Sequence, residues 1–328
     1  MASVAREPDL VAAARAGDER AFVALTSPHR RALHVHCYRL LGSVHDADDA
    51  VQETLLRAWR GIAGYEPRAP LVAWLYRIAT NVCLRVLERR NRHGASAVDA
   101  HLEPYPEPSA PSALEPAALV EADEAVGLAF IAAMQLMPPK QRVVLVLRDV
   151  LDWSAREVAE LLEDTEAAVN SALQRARERI RQEQDEGSLA RAHRPASGQV
   201  ESLVMQRFQE AWEAVDIDGI LKLLTADALL TMPPEGMRFE GPGAIAEFFA
   251  TVPLEGRLDR IRLIPRRANR QPALAAYAGN EHTGGYDAYG VMVFAIENDR
   301  IAGITGFPRQ VELFLRLGLP ATLNARDV

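Results

Sequence analysis

Pro104, Pro106, Pro108, Pro111 and Pro116 crowd one Ala/Ser/Glu-rich stretch of this 328-residue chain. Proline lacks an amide hydrogen and clashes with the preceding helical turn, so the stretch cannot continue a helix and reads as an extended linker. Helical patterns lie on both sides of it.

On the N-terminal side, residues 8–42 carry the pattern of two helices, with Ala32, Val35, Cys37, Leu40 and Leu41 as the apolar positions of the second. Gly42-Ser43 interrupts it. A new helix is expected over His45–Arg60, with acidic residues in its first turn to complement the helix dipole. Val51, Leu55, Ala58 and Trp59 are its expected inner face. Asp46, Asp49 and Glu53 lie along another face with Gln52 beside them, and Leu56 sits among those carboxylates. Such a surface suits docking, though an acidic helix face is also simply soluble. Gly61, Gly64, Pro67 and Pro70 then lead to Leu71–Arg92, where Trp74, Ile78, Val82 and Val86 recur as one apolar stripe. Arg77, Asn81, Arg85 and Arg89 repeat at the same spacing on a different face, a row about 18 Å long. It sets cations that can meet phosphates beside an amide that can bond a base edge. A solvated helix face can look the same.

Beyond the prolines, helices are expected over Ala125–Met137 and Gln141–Val150, divided by Pro138-Pro139. Ser154-Ala155-Arg156-Glu157 is a capping box that opens a short helix. Glu163-Asp164-Thr165 makes a turn, and Glu166–Gln182 follows with Val169, Leu173, Ala176 and Ile180 inward. Asn170, Ser171, Gln174, Arg175, Arg177 and Arg181 point outward. This is a helix-turn-helix pattern whose second helix would enter a major groove, although the turn lacks glycine.

The charge and composition set bounds on function. An apolar fraction of 48% with 25% charged residues describes a soluble globular protein. No apolar run reaches the roughly 20 residues of a membrane span, and no secretory h-region is visible, so the chain is expected to be cytoplasmic. Cys37 and Cys83 have neither metal nor redox spacing, and the His34, His36 and Cys37 cluster reads as packing. No metal or cofactor is expected. A net charge of −8 argues against coating naked DNA and suits a protein that meets DNA inside a larger complex.

After a polar second linker at Asp185–Gln199, a helix carries Val204, Phe208, Ala211, Trp212 and Val215 on one face. A shorter helix over Ile217–Leu224, a strand at Ala228–Met232 and a helix from Gly241 to Phe249 come next. Tyr289–Ile296 and Arg300–Phe307 flank Glu297-Asn298-Asp299 as a hairpin. Helices followed by an antiparallel sheet give an α+β order. Asp216, Asp218, His282 and Asp287 are the candidates for an acid–base pair, but no spacing singles two of them out, and Asp218-Gly219 reads as a turn. The chain is not expected to be an enzyme.

Three motifs, Asp46–Thr54 (DADDAVQET), Trp74–Asn81 (WLYRIATN) and Ser154–Leu162 followed by Ser171–Arg177 (SALQRAR), resemble in their order and spacing the extracytoplasmic-function (ECF) group of bacterial sigma factors. The resemblance covers roughly residues 8–90 and 120–182. It implies that Asp46, Asp49, Gln52, Glu53 and Leu56 dock on the clamp-helix coiled coil of core RNA polymerase. It further implies that Arg77, Asn81, Arg85 and Arg89 melt and read the minus-ten element of promoter DNA. Asn170, Ser171, Gln174, Arg175 and Arg177 would read the minus-thirty-five element. Opened strands are held by backbone cations plus stacking, for which Tyr76 and Trp74 offer aromatic faces.

The segment LLTADALLTMPPEG with FEGPGAIAEFF resembles the SnoaL-like cone fold, and LEPYP at Leu102–Pro106 resembles a linker motif of ECF factors that carry such a domain. His101 stands where those relatives have an aromatic residue. The implied organisation is two all-α domains plus an α+β cone. Sigma region 2 would occupy 1–95, a linker 96–119, sigma region 4 with its helix-turn-helix 120–184, a second linker 185–199, and the SnoaL-like domain with its tail 200–328. The cone would modulate the sigma domains in cis through an intramolecular contact; any small-molecule ligand is unknown. A one-component helix-turn-helix regulator with a ligand-binding cone is the alternative, and a small-molecule isomerase is a further one.

Overall fold

The computed structural model describes residues 7–66, 70–92, 102–106, 128–185, 198–233 and 237–324. His101, Pro108, Pro111, Pro116, the side chain of Arg92 and most of the second linker lie outside the described residues. The described parts gather into two compact units, one from the spans 1–96 and 134–178 and the other from 97–133 and 179–328.

The helices in chain order are α1 (Glu7–Arg15), α2 (Glu19–Thr26), α3 (Arg30–Leu41), α4 (Val44–Gly61), α5 (Leu71–Arg92), α6 (Leu128–Gln135), α7 (Pro139–Leu145), α8 (Ala155–Leu162) and α9 (Glu166–Asp185). Residues 8–42 thus form three helices rather than the two expected. Asp18 divides the first two, because its carboxylate accepts from the amides of Arg20 and Ala21 at 2.8 and 3.1 Å and so starts α2 afresh. Ser43 caps α4 in the same way, accepting from the Asp46 amide at 3.1 Å.

The apolar stripe of α5 is displaced from its expected place. Leu71, Leu75, Ala79, Val82, Cys83 and Leu87 are buried, while Trp74, Ile78 and Val86 are only half-buried. The helix packs on α3 and α4 together, and the sector facing both neighbours lies one position further round. In α4 the same crowding favours small residues: Ala47, Ala50, Thr54 and Ala58 are buried with Val44 and Val51, and Leu55 and Trp59 are half-exposed. Trp59 and Trp74 instead pack at the edge, against Phe22 and Tyr65 with ring centroids 5.1 and 5.0 Å apart.

Several polar side chains are sealed into this unit. His36 is fully buried, bonds Thr80 Oγ1 at 2.9 Å and lies edge-on to Tyr76. Burial, with Arg39 adding to it, lowers its pKa to about 3. The unfolded chain has the ordinary histidine value near 6.5, so between the two the unfolded state binds more protons and stability is lost as pH falls. We expect acid unfolding to steepen below pH ~6.5 by up to about 1.4 kcal/mol per pH unit, and His36→Gln to flatten that limb. Denaturant melts from pH 7 to 4 check it; parallel profiles would remove His36 as the cause. Burial, together with a thiol hydrogen bond to the free Cys37, also pushes up the thiol of Cys83.

Gly42 ends α3 in the left-handed region (φ +75°), and a Cβ there would come within 2.7 Å of Gln135 Cδ. Gly42→Ala is therefore expected to cost about 1–2 kcal/mol, read as a lowered Tm. An unchanged Tm would show that the Gln135 side chain yields freely.

In the helix-turn-helix, α7 starts at Pro139 and its continuation over Val146–Val150 widens into a π-turn. The Ser154/Glu157 capping box is formed in both directions. Where glycine is missing from the turn, Glu163 itself adopts the left-handed conformation (φ 51°).

The second unit adds α10 (Gly198–Glu213), α11 (Ile217–Lys222), α12 (Gly241–Thr251) and α13 (Val311–Arg316) to strands β1 (Leu224–Met232), β2 (Met237–Glu240), β3 (Ile261–Ala268), β4 (Gln271–Gly279), β5 (Tyr286–Glu297), β6 (Arg300–Pro308) and β7 (Thr322–Leu323). The sheet order is β2-β1-β6-β5-β4-β3, with β7 on β5. It is mixed rather than purely antiparallel, because β1 pairs with β6 in parallel. A long connection through β2, α12 and three strands makes that pairing possible. Asp218-Gly219 is not a turn but part of α11, whose N-cap Asp216 accepts from the Gly219 amide at 2.8 Å. Phe208, Trp212, Phe249 and Phe294 fill the inner side of the sheet. On its outer side Tyr277 packs on Phe314 and donates to the Pro320 carbonyl at 2.7 Å, which ties the tail down.

The linker segment 102–106 also belongs to this unit. The Tyr105 amide donates to Asn269 Oδ1 at 2.7 Å, and the Asn269 amide donates to the Tyr105 carbonyl at 2.9 Å. Pro106 forms a bridge with Ala268, and Leu102 and Pro104 are buried. Asn269, itself buried and left-handed (φ 52°), thus reads the linker backbone at the β3–β4 turn.

Candidate polymerase and DNA interfaces

Helix α5 holds Arg77, Asn81, Arg85 and Arg89 on its exposed side. On α4, Asp49, Gln52 and Leu56 are exposed, and Asp46 and Glu53 are half-buried. The two helices bring part of each row to one groove of about 580 Å³, lined by Asp46, Asp49, Glu53 and Arg57 from α4 and by Arg85, Glu88 and Arg89 from α5, while Gln52, Leu56, Arg77 and Asn81 are not in its lining. Carboxylates and guanidiniums therefore face each other across it, which sequence reasoning on single helices did not reveal. Glu53 holds Arg57 at 2.6 Å one turn away. Asp46 pairs with Arg90, whose guanidinium also donates to the Leu41 carbonyl at 3.1 Å at the end of α3. Asp46 is thus partly committed within the fold.

On α9, Asn170, Ser171, Gln174, Arg175 and Arg177 are all exposed, while Val169, Ala172, Leu173 and Ala176 are buried and Ile180 is half-buried. Arg177 makes two bonds to Asp149, at 2.9 and 2.7 Å, and that hydrogen-bonded carboxylate raises its pKa further. The pair fixes one end of this exposed face; an acid in the preceding π-turn gave no sequence signal for it. Glu157, in the capping box that opens α8, is held below its ordinary pKa by the Ser154 hydroxyl and amide, and Arg77 of α5 adds to this.

Of the four acid–base candidates of the cone, Asp287 and the His282 backbone share Asn280 as a partner. Asp216 caps α11 and Asp218 is exposed. Asp287 accepts from Asn280 at 2.7 Å, and the His282 amide donates to Asn280 Oδ1 at 2.9 Å. Among the described residues no group of His, Cys, Asp and Glu has a metal-binding arrangement, and no helix is long and apolar enough to cross a membrane.

Three family models match the chain in succession: sigma-70 region 2 over residues 25–93, sigma-70 region 4 over 127–180, and the SnoaL-like domain over 205–304. These helical modules and the fused cone define a transcription initiation factor with an extension. The ECF RNA polymerase sigma factor SigG of Mycobacterium tuberculosis is 40% identical over 337 residues, covering 97% of this chain and 87% of the relative. SigM of the same organism, also an ECF RNA polymerase sigma factor, is 32% identical over 53% of the chain and 82% of its own length. The crystal structure of M. tuberculosis SigJ shares the fold, with a TM-score of 0.60 at 22% identity over 90% of this chain and 98% of that one. The chain belongs to the ECF sigma factors of the sigma-70 family and carries a C-terminal SnoaL-like domain. Its function is to bind core RNA polymerase and direct promoter recognition.

Proposed function

We propose that the three exposed rows divide this work. Asp46, Asp49, Gln52, Glu53 and Leu56 grip the polymerase. Arg77, Asn81, Arg85 and Arg89 hold the opened minus-ten strand, and Asn170, Ser171, Gln174, Arg175 and Arg177 read the minus-thirty-five duplex. Cations track the backbone, and Asn81 supplies the base-edge amide within the α5 row. The factor works in the cytoplasm, where its polymerase is.

The cone acts in cis, without catalysis, on how far the two helical regions can part. The docking of Tyr105 and Pro106 on Asn269 and Ala268 carries this reading. An unattached linker leaves α5 and α6 free along its whole length, whereas a docked one divides that tether at the cone, so docking favours some arrangements over others. The aromatic filling of the cone and its dispersed acids fit a scaffold better than an active site. Transcription from a cognate promoter, with and without residues 200–328, tests the role; equal output at every concentration would remove it.

Asn269→Ala gives a finer check. It deletes the acceptor for Tyr105 and disfavours the left-handed backbone. We expect amide exchange at Tyr105 to accelerate at least tenfold and transcription to move in the same direction as on cone deletion. Unaltered exchange would show that the dock holds without Asn269.

A further inference from the structure

The edge of the cone sheet is unusually basic. Residues 257–270 hold six arginines and one aspartate, whereas the rest of 200–328 carries seven basic and sixteen acidic residues. An acidic domain thus collects nearly half of its positive charge on β3 and the turns beside it. Strand β3 is the last strand of the sheet path, with β4 as its neighbouring strand and the linker bridging its end at Ala268. Charge on an edge strand also discourages edge-to-edge pairing, but that purpose sets no particular face.

Here the arginines are sorted by face. Arg267 reaches Glu201 of α10 at 3.0 Å, Arg260 meets Glu281 at 2.8 Å, and Arg257 lies 3.3 Å from Asp259. Arg262 and Arg266 share the opposite side of the strand from Arg267. Arg262 stands 6.0 Å over the Tyr286 ring, and Arg266 donates to the carbonyls of Pro265 and Leu317 at 2.8 and 3.3 Å. Neither meets a carboxylate among the described residues. Arg270 is exposed in the β3–β4 turn that follows the strand. The edge is about 27 Å long at ~3.4 Å per residue.

We infer that this edge is a phosphate-backbone contact for promoter duplex, made when the chain is assembled with core polymerase. The inference rests on the reading of the chain as a factor working at promoters. Duplex DNA carries one negative charge per ~1.7 Å of axis, so an edge of this length faces a dense row of phosphates. Guanidinium is the side chain best matched to them. Such contacts position without reading bases. They add to the affinity of the holoenzyme on any promoter, while the net charge of −8 keeps the free chain from binding duplex by itself.

The test uses the full chain with core polymerase and promoter fragments, titrated between ~50 and ~200 mM salt. Replacing Arg262, Arg266 and Arg270 together by Gln is expected to weaken binding on the order of tenfold and to reduce the log–log salt slope by about 2.7, at ~0.9 per lost contact, equally on promoters of different sequence. Replacing the same three by Lys should keep the slope. Should the triple Gln variant fail to fold, Arg262→Gln alone must still lower the slope by about 0.9. An unchanged slope overturns the proposal. So does a loss that appears equally in core capture without DNA, which would assign the edge to an acidic protein surface. Failure of the unaltered chain to capture core would instead sink the polymerase reading, and the two failures are distinct.

Discussion

Asp49→Arg combined with Glu53→Arg is expected to lower affinity for core polymerase at least ~100-fold while the protein stays folded. Asp49 is exposed and only 3.9 Å from His45, a neighbour one turn away, so the fold loses little when its charge is reversed. Glu53 gives up its pair with Arg57, a solvent-screened bond of the kind worth about 0.3–0.5 kcal/mol. At the interface the outcome is different. Each reversal replaces an attraction by a like-charge contact, and such contacts cost several kcal/mol once solvent is excluded. Asp46 is a poorer choice for this test, because reversing it would also release Arg90 from the end of α3. Co-purification with core polymerase, alongside a thermal melt of the variant alone, measures the effect. Undiminished co-purification with an unchanged melt would show that the α4 carboxylates are not the docking face.

What could be read from the sequence follows from how local each signal is. The limits of α5 and the capping box at Ser154 depend on residues within a turn or two, and both stand as expected. Which flank of α5 is buried depends on two neighbouring helices, and the apolar spacing alone was right for Val82 but not for Trp74, Ile78 and Val86: Trp74 offered area, but Ala79 and Cys83 fit the crowded side. The split at Asp18 was legible as an N-cap, yet the apolar periodicity on either side masked it. The parallel β1–β6 pair joins residues some seventy positions apart, and nothing near either strand announces it. The same distance hides the partner of the linker motif. Leu102–Pro106 stood out as a linker motif by resemblance, but Asn269 is one residue in a turn 164 positions from Tyr105. The groove between α4 and α5 arises only when both helices are in place, so the acidic and basic rows were each visible and their opposition was not.

The largest structural change we expect accompanies promoter binding, and it concerns Arg142. Its guanidinium is buried in the first unit, where it donates to the Leu40 carbonyl at 2.6 Å, to Gln135 Oε1 at 2.6 Å and to the carbonyls of Gln135 and Met137 at 2.9 and 3.2 Å. Of these four bonds the one to Leu40 joins α7 to α3, whose C-terminal end it caps. Burial, with the charge of Arg90 nearby, lowers its pKa to about 9, a sign that water would solvate the cation better than these neutral acceptors do. A charged hydrogen bond of this kind contributes about 1.5–3 kcal/mol, and partial rehydration on opening offsets part of it. The latch is thus strong enough to populate the packed arrangement and weak enough for a partner to break. A promoter demands that break. Elements at minus-ten and minus-thirty-five are centred roughly 25 base pairs apart, or ~85 Å at 3.4 Å per pair, far beyond a span that keeps Arg142 on Leu40. Labels at Arg60 and Glu178, both exposed and outside the three reading rows, should move apart by several tens of ångströms between the free chain and the promoter-bound holoenzyme. Arg142→Met should shift the free chain toward the long distance and raise the rate at which it engages promoters with core polymerase. A single distance in both states would mean that the packed arrangement is the working one, and the assignment of α5 and α9 to two separate promoter elements would fall with it.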